Sequence, residues 1–192
     1  MEDDARRRDF TMNALYATRD GEVIDPLGQG IADLGAGRVR FIDDACDRIR
    51  EDYLRILRFF RFHAWYGDPG AGLDPEALAA IADLADGIDA LSRERIGHEM
   101  RRLLAAPDPA PSVAAMAQAG VLRHVVDGAE ARYLGPLIAA EAALGLVPDP
   151  MRRLAALGGQ GAAEGLRLSR ADAARLDHLL KGATGGQGEA EL

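Results

Sequence analysis

The sequence predicts a mainly α chain with one short β-hairpin near its N-terminus, and three observations carry that reading. Alanine is abundant while aromatic residues make up only 5% of the chain, the composition of helices packed through small and aliphatic side chains. From about residue 44 onward, apolar residues recur at helical spacing between Ser, Asp and Pro starts and Gly stops. Before that, two short runs flank Asp20-Gly21, whose glycine supplies the positive φ of a hairpin turn.

The elements follow in order. "NALYAT" and "EVID" read as the two strands. After Pro26 a glycine loop leads into "IADLGAG", a helical turn stopped by Gly35 and Gly37, and "RVRFI" alternates like a third strand. Three strands make a poor sheet by themselves, because their edges stay open and little surface is buried. The spacing then predicts a helix over about 44–66 ended by Gly67, one over 75–86 with Asp74 as N-cap and Pro75 first, and one over 93–105 behind Ser92. Further helices are expected near 110–119, 130–145, 150–157 and 170–181, the last behind Ser169 with Asp172 three residues on. "APDPAP" at 106–111 marks a boundary, and "GATGGQGEAEL" reads as a frayed tail.

With 192 residues, 48% of them hydrophobic, the chain is long enough for one or two compact domains. Cys46 is the single cysteine, so no internal disulfide forms; no apolar run reaches about 18 residues, and the start MEDDARRR is unlike a secretion signal. These features point to the cytoplasm and to no membrane. The formal charge of −8 speaks against a generic nucleic-acid binder, but the charge is uneven. Residues 38–61 carry 7 basic and 5 acidic side chains, whereas 62–92 carry none and 6. An arginine-bearing element between acidic ones fits a local phosphate or RNA site better than a basic face. His63, His98, His124 and His178 are scattered as surface or core residues are, not as metal ligands.

The arginine-bearing element is "EDYLRILRFFRF", residues 51–62. On a helical wheel Tyr53, Ile56, Leu57 and Phe60 form a core-facing arc, and Arg55, Arg58 and Arg61 line the opposite flank with Asp52 beside Arg55. The wheel alone admits a solvated face whose ion pair contributes a few tenths of a kcal/mol. Phe59 and Phe62 argue otherwise, since they would partly desolvate the arginines and so demand anionic partners. Phosphates match the planar fork of Arg donors.

Together "RRRDFTMNAL", "IDPLGQGIADL", "EDYLRILRFFRF" and "ERIGHEMRRLL" resemble, in order and spacing, the class II tRNA nucleotidyltransferase and bacterial poly(A) polymerase family, over roughly residues 6–105. The resemblance implies helical neck and body domains preceded by a β-hairpin remnant of an α+β nucleotidyltransferase head. It divides the chain into a head remnant at 1–42, a nucleobase-reading neck at 43–105 and a helical, RNA-binding and incomplete body at 106–192. It implies untemplated addition of nucleotides from CTP and ATP to the 3′ end of tRNA. Carried over, the sugar-reading element falls on Arg8 and Asp9 with Asn13 close behind. The base-reading element falls on Glu51, Asp52 and Arg55, with further nucleotide-binding arginines at Arg58 and Arg61. Asp25, Gly30, Asp33 and Leu34 match the element joining head to neck, and Glu94, Arg95 and Glu99 match the neck-stabilising element.

The side-chain chemistry suits these roles. Asp52 offers only acceptors and Arg55 only donors. Cytosine and adenine both present an amino donor beside a ring-nitrogen acceptor, and guanine and uracil present the reverse, so one Asp-Arg pair can accept C and A and reject G and U. Glu51 is placed to hold an arginine in position. Asp9 suits a ribose hydroxyl, and Arg8, Arg58 and Arg61 suit a triphosphate. The family's Gly-Gly-x-x-Arg-Asp loop and metal-holding Asp-x-Asp pair are absent from this sequence. Nucleotidyl transfer depends on metal ions, Mg2+ in the intact enzymes. The chain is therefore expected to be a fragment, inactive alone, completed by a head segment of the same protein. Two alternatives stay open: a poly(A) polymerase fragment, and a helical RNA-binding or interaction module with no nucleotide site.

Overall fold

The computed structural model describes residues 1–159 and 161–185 and is predominantly helical. A short helix α1 (Glu2–Ala5) and a 3-10 turn at Thr11–Asn13 precede the hairpin, in which β1 (Tyr16–Ala17) runs antiparallel to β2 (Val23–Ile24) with Tyr16 opposite Ile24. Gly21, at φ 88°, makes the turn. The short helix α2 (Gly30–Gly35) docks on the 3-10 turn, and Gly30 is required there because a Cβ would lie 2.5 Å from the Thr11 carbonyl oxygen. Asp33, buried beneath, accepts from the Thr11 hydroxyl at 2.7 Å, while Asp25 accepts the amides of Gly28 and Ile31 and closes the loop.

The expected third strand does not form. Residues 38–42 make one isolated bridge, Phe10 to Phe41, through Thr11 N–H to Arg40 O and Ile42 N–H to Asp9 O. The alternation in "RVRFI" was a burial signal: Val39 and Phe41 are buried against the helices, but only one residue of chain lies alongside. Phe10 packs 5.0 Å from both Phe41 and Phe62, and Phe41 stacks on Phe59 at 5.7 Å, which fastens the N-terminal segment to the helical part.

The helix expected over 44–66 is two helices, α3 (Ala45–Glu51) and α4 (Leu54–Tyr66), broken at Asp52. Asp52 is extended, at φ −158° and ψ 106°, and its Oδ1 accepts the Leu54 amide at 3.1 Å. Aspartate competes for backbone donors in this way, and here it starts a new helix instead of continuing the old one. The next helices stand close to expectation: α5 (Pro75–Leu84) with Asp74 capping Ala77, α6 (Arg93–Leu104) with Ser92 capping Arg95, and α7 (Ala110–Gln118). The short α8 (Leu122–Val125) and the later α11 (Ala162–Gly165) were not anticipated. Between them α9 (Leu134–Ala143) and α10 (Pro150–Leu157) form as expected, and α12 (Arg170–Gly185) absorbs the first residues of the supposed tail. The remainder of that tail lies outside the described residues.

Helix α4 is central. It packs on α6 and α7 and buries Ile56, Leu57, Phe59 and Phe60, while α10 lies against α6, α9 and α12. One apolar cluster runs from Phe10 to Leu176 through these helices. The proline-bearing stretch after α6 is held by Arg153, which is 1% exposed. Its guanidinium donates to the carbonyls of Leu104, Ala106 and Pro107 at 2.8, 2.5 and 3.2 Å and pairs with buried Glu141. Glu141 thereby gives Arg153 the paired anion that a buried cation needs.

Candidate functional site

Six of the eight expected site residues line one pocket. Arg8, Asp9, Asn13, Asp52, Arg55 and Arg58 surround a cavity of about 360 Å³, together with Arg7, Leu54 and Arg95. The N-terminal segment supplies one wall, α4 the floor and the first turn of α6 the rim.

The break at Asp52 aims its carboxylate. One oxygen caps α4, and the other accepts from Arg95 at 2.7 Å. Asp52 therefore does not pair with Arg55 as the helical wheel suggested; the extended backbone carries it off the α4 flank toward α6. Arg55 is gripped instead by Glu51 at 2.6 Å and by the carbonyls of Arg48 and Arg7. Those contacts use three of the five guanidinium N–H groups and leave two without a partner among the described residues.

On the opposite wall, Arg58 forms a close ion pair with Asp9, which is 5% exposed and also accepts from the Asn13 amide at 2.7 Å. Burial alone would raise the Asp9 pKa, but Arg58 and Asn13 outweigh it and hold the carboxyl below the usual carboxylate range. Burial likewise opposes the charge on Arg58, and Asp9 restores it, keeping the guanidinium firmly protonated. Arg8 donates to the Asn13 carbonyl at 2.9 Å and lies over the Tyr16 ring, so the hairpin borders the pocket through it. This wall is an ionised, hydrogen-bonded constellation, not a helix cap.

Glu51 and Arg61 do not line the cavity. Glu51 stands behind Arg55 and also pairs with Arg48. Arg61, which the wheel placed on the outer flank, is 5% exposed and pairs at 2.6 Å with Glu99, itself buried. Helix α6 packs over that side of α4, so the flank opposite the first core arc is itself covered. Arg7 and Arg95 are additions to the expected set. Arg7 was hidden in a run of three arginines, and Arg95 stood in an element assigned to stabilisation. Among the described residues no three His, Cys, Asp or Glu side chains come together to hold a metal ion. The described residues therefore do not fit a Mg2+ site.

Comparison with known proteins decides the family. A model described as "Poly A polymerase head domain" matches residues 1–40, and one described as "Probable RNA and SrmB-binding site of polymerase A" matches residues 72–132. The mitochondrial CCA tRNA nucleotidyltransferase 1 of Mus musculus is 38% identical over 154 residues, 80% of this chain and 35% of that protein. The chain belongs to the class II CCA-adding enzyme and poly(A) polymerase family. A CCA-adding enzyme from Leuconostoc citreum is 35% identical over 123 residues, 64% of this chain and 30% of its own length. The crystal structure of the Bacillus stearothermophilus CCA-adding enzyme in complex with CTP superposes with a TM-score of 0.75 at 26% identity, covering 96% of this chain and 47% of that one. The Thermotoga maritima CCA-adding enzyme complexed with tRNA shares the fold, at a TM-score of 0.67 and 21% identity over 96% of this chain and 49% of that one. This family member thus spans about a third of the curated relatives and about half of the solved chains.

Proposed function

We propose that this chain supplies nucleotide selection and RNA binding to a CCA-adding tRNA nucleotidyltransferase that uses CTP and ATP. The observation carrying the proposal is the pocket itself: an acceptor-only Asp52 and a donor-only Arg55 face one cavity whose far wall is Asp9 and Arg58. In this reading Asp52 accepts the amino group of cytosine or adenine, and the two remaining Arg55 donors meet the ring nitrogen and its neighbour. Glu51 and Arg95 are positioning residues that fix the two readers. Asp9 takes the ribose hydroxyl, beside Asn13, and Arg7, Arg8 and Arg58 take the polyphosphate. Arg61 acts from beneath the pocket, through α4.

The same reading divides the chain into a head segment at 1–42, a neck at 43–105 and a body at 106–192. It places the tRNA 3′ end against the neck and body, in a cytoplasmic setting. Among the described residues no helix is long and apolar enough to cross a membrane. Mg2+ is the ion expected for the transfer step of the intact enzyme, which a further head segment of the same protein would complete; the residues described here select the nucleotide and do not perform the transfer.

Equilibrium binding of the four ribonucleoside triphosphates tests this. CTP and ATP are expected to bind at least about ten-fold more tightly than GTP and UTP, the discrimination of one or two edge hydrogen bonds. Equal binding of all four overturns the reading in favour of a helical interaction module. Preference for ATP alone moves it to polyadenylation.

A further inference from the structure

A second surface lies along the same helix. Beyond Arg58 this side of α4 turns aromatic: the Arg58 guanidinium sits 5.5 Å over the ring of Phe62, which is half-buried against the core, and Phe62 packs 5.6 Å from the exposed Tyr66. Beside this row Trp65 is 44% and Tyr66 52% exposed. They border a separate hollow of about 190 Å³ with Arg61 and Arg102. The Trp65 indole N–H donates to the Arg102 carbonyl at 2.8 Å, which holds its ring in a fixed orientation while leaving much of it in water. Large aromatic side chains exposed together and oriented are unusual where no element covers them among the described residues, and flat rings beside cations suit stacked bases.

The charge fits the same occupant. Of the seven arginines on the packed helices α4 and α6, Arg55, Arg58, Arg61, Arg95 and Arg101 are each paired with a carboxylate. Among the described residues Arg102 has no ion-pair partner, so its charge is available at the hollow. A basic or purely apolar partner would leave that cation uncompensated, whereas a phosphate backbone supplies the anion. Stacking on aromatic rings with arginine along the backbone is how unpaired nucleic-acid strands are held without reading their sequence.

We propose that Trp65, Tyr66 and Arg102 form a stacking platform for the unpaired end of an RNA strand, which the Phe62 row leads toward the nucleotide pocket. The proposal rests on the nucleotide-selecting reading only for why an RNA end is brought beside this helix. Trp65 is the single tryptophan of the chain, so its emission reports the platform directly. The full chain is titrated with a single-stranded RNA of about eight nucleotides ending in CC, within the length such surfaces cover. Saturable quenching of Trp65 is expected. Trp65→Ala and Tyr66→Ala should each weaken the binding of the same RNA, carrying a fluorescent label, by about ten-fold. Arg102→Gln should reduce the slope of affinity against salt by about one phosphate contact. Unquenched emission, or equal RNA affinity in all three variants with their circular dichroism unchanged, overturns the proposal. Emission that responds to protein concentration but not to RNA overturns it too, in favour of a contact between two copies. Asp52→Ala separates the two readings: it should abolish the preference for CTP and ATP and leave the RNA quenching intact.

Discussion

Asp52 lies against Arg95 on a neighbouring helix at 2.7 Å, while Arg55, three residues away, is held by Glu51 at 2.6 Å. The two groups proposed to read a base are thus each fixed by a different partner, and neither neutralises the other. Their hydrogen-bonding edges stay directed at the cavity.

Removing either reader should abolish selection without unfolding the chain. Asp52→Ala and Arg55→Ala are each expected to reduce CTP and ATP affinity by roughly ten- to a hundred-fold, matching about 1–3 kcal/mol per base contact. Isothermal titration with CTP and UTP measures this; an unchanged ratio between the two nucleotides argues that the pair does not read bases.

Arg95→Ala should act more weakly and differently. The pair is half exposed, so its contribution to stability is less than about 1 kcal/mol. Its loss frees the Asp52 carboxylate to change rotamer, and discrimination between CTP and UTP should fall several-fold while the melting temperature barely moves. A large loss of stability would instead assign Arg95 to the scaffold.

The Arg61–Glu99 pair is sealed between α4 and α6. Arg61→Ala or Glu99→Ala alone leaves a buried charge unpaired and is expected to cost about 3–5 kcal/mol in urea denaturation. The double variant Arg61→Met with Glu99→Leu should recover most of that stability. If the double variant folds but loses CTP affinity by more than about ten-fold, the figure for one strong charged contact, Arg61 itself reaches the nucleotide.

Stability should also depend on His63. It is buried, 2.7 Å from the Ser112 hydroxyl, and burial lowers its pKa with the Gly72 backbone opposing. Above the ordinary histidine value of about 6.5 the folded and unfolded chains are both neutral there. As pH falls below it, the unfolded chain takes up a proton that the folded chain resists, so stability declines until the lower folded value is reached. The urea midpoint should fall between about pH 7.5 and 5.5, and fall less in His63→Gln. An equal fall in both would exclude His63 as the cause.

Three helix starts were legible because each carries its own cap: Asp74, Ser92 and Ser169 accept the amides of Ala77, Arg95 and Asp172. The break at Asp52 was less so. A wheel drawn through 44–66 treats Asp52 as a helical residue, whereas its competing carboxylate had already ended the helix. That error misassigned the partner of Arg55, whereas Arg61 was read as outward because a wheel of one helix cannot show that α6 covers its flank. Most of the pocket was legible because its residues cluster in two motifs. Arg95 in its lining was not, since only the crossing of α6 over α4 brings it to Asp52. The strand expected at 38–42 failed for a simpler reason: alternation reports burial on one side and says nothing about whether a neighbouring chain exists to pair with.

The grip of Arg153 on the last carbonyl of α6 and on two just past it has a mechanical corollary. Such a joint fastens α10 to the end of α6, the helix whose first turn carries Arg95 to Asp52, so one rigid rod ties the distal helices to the rim of the pocket.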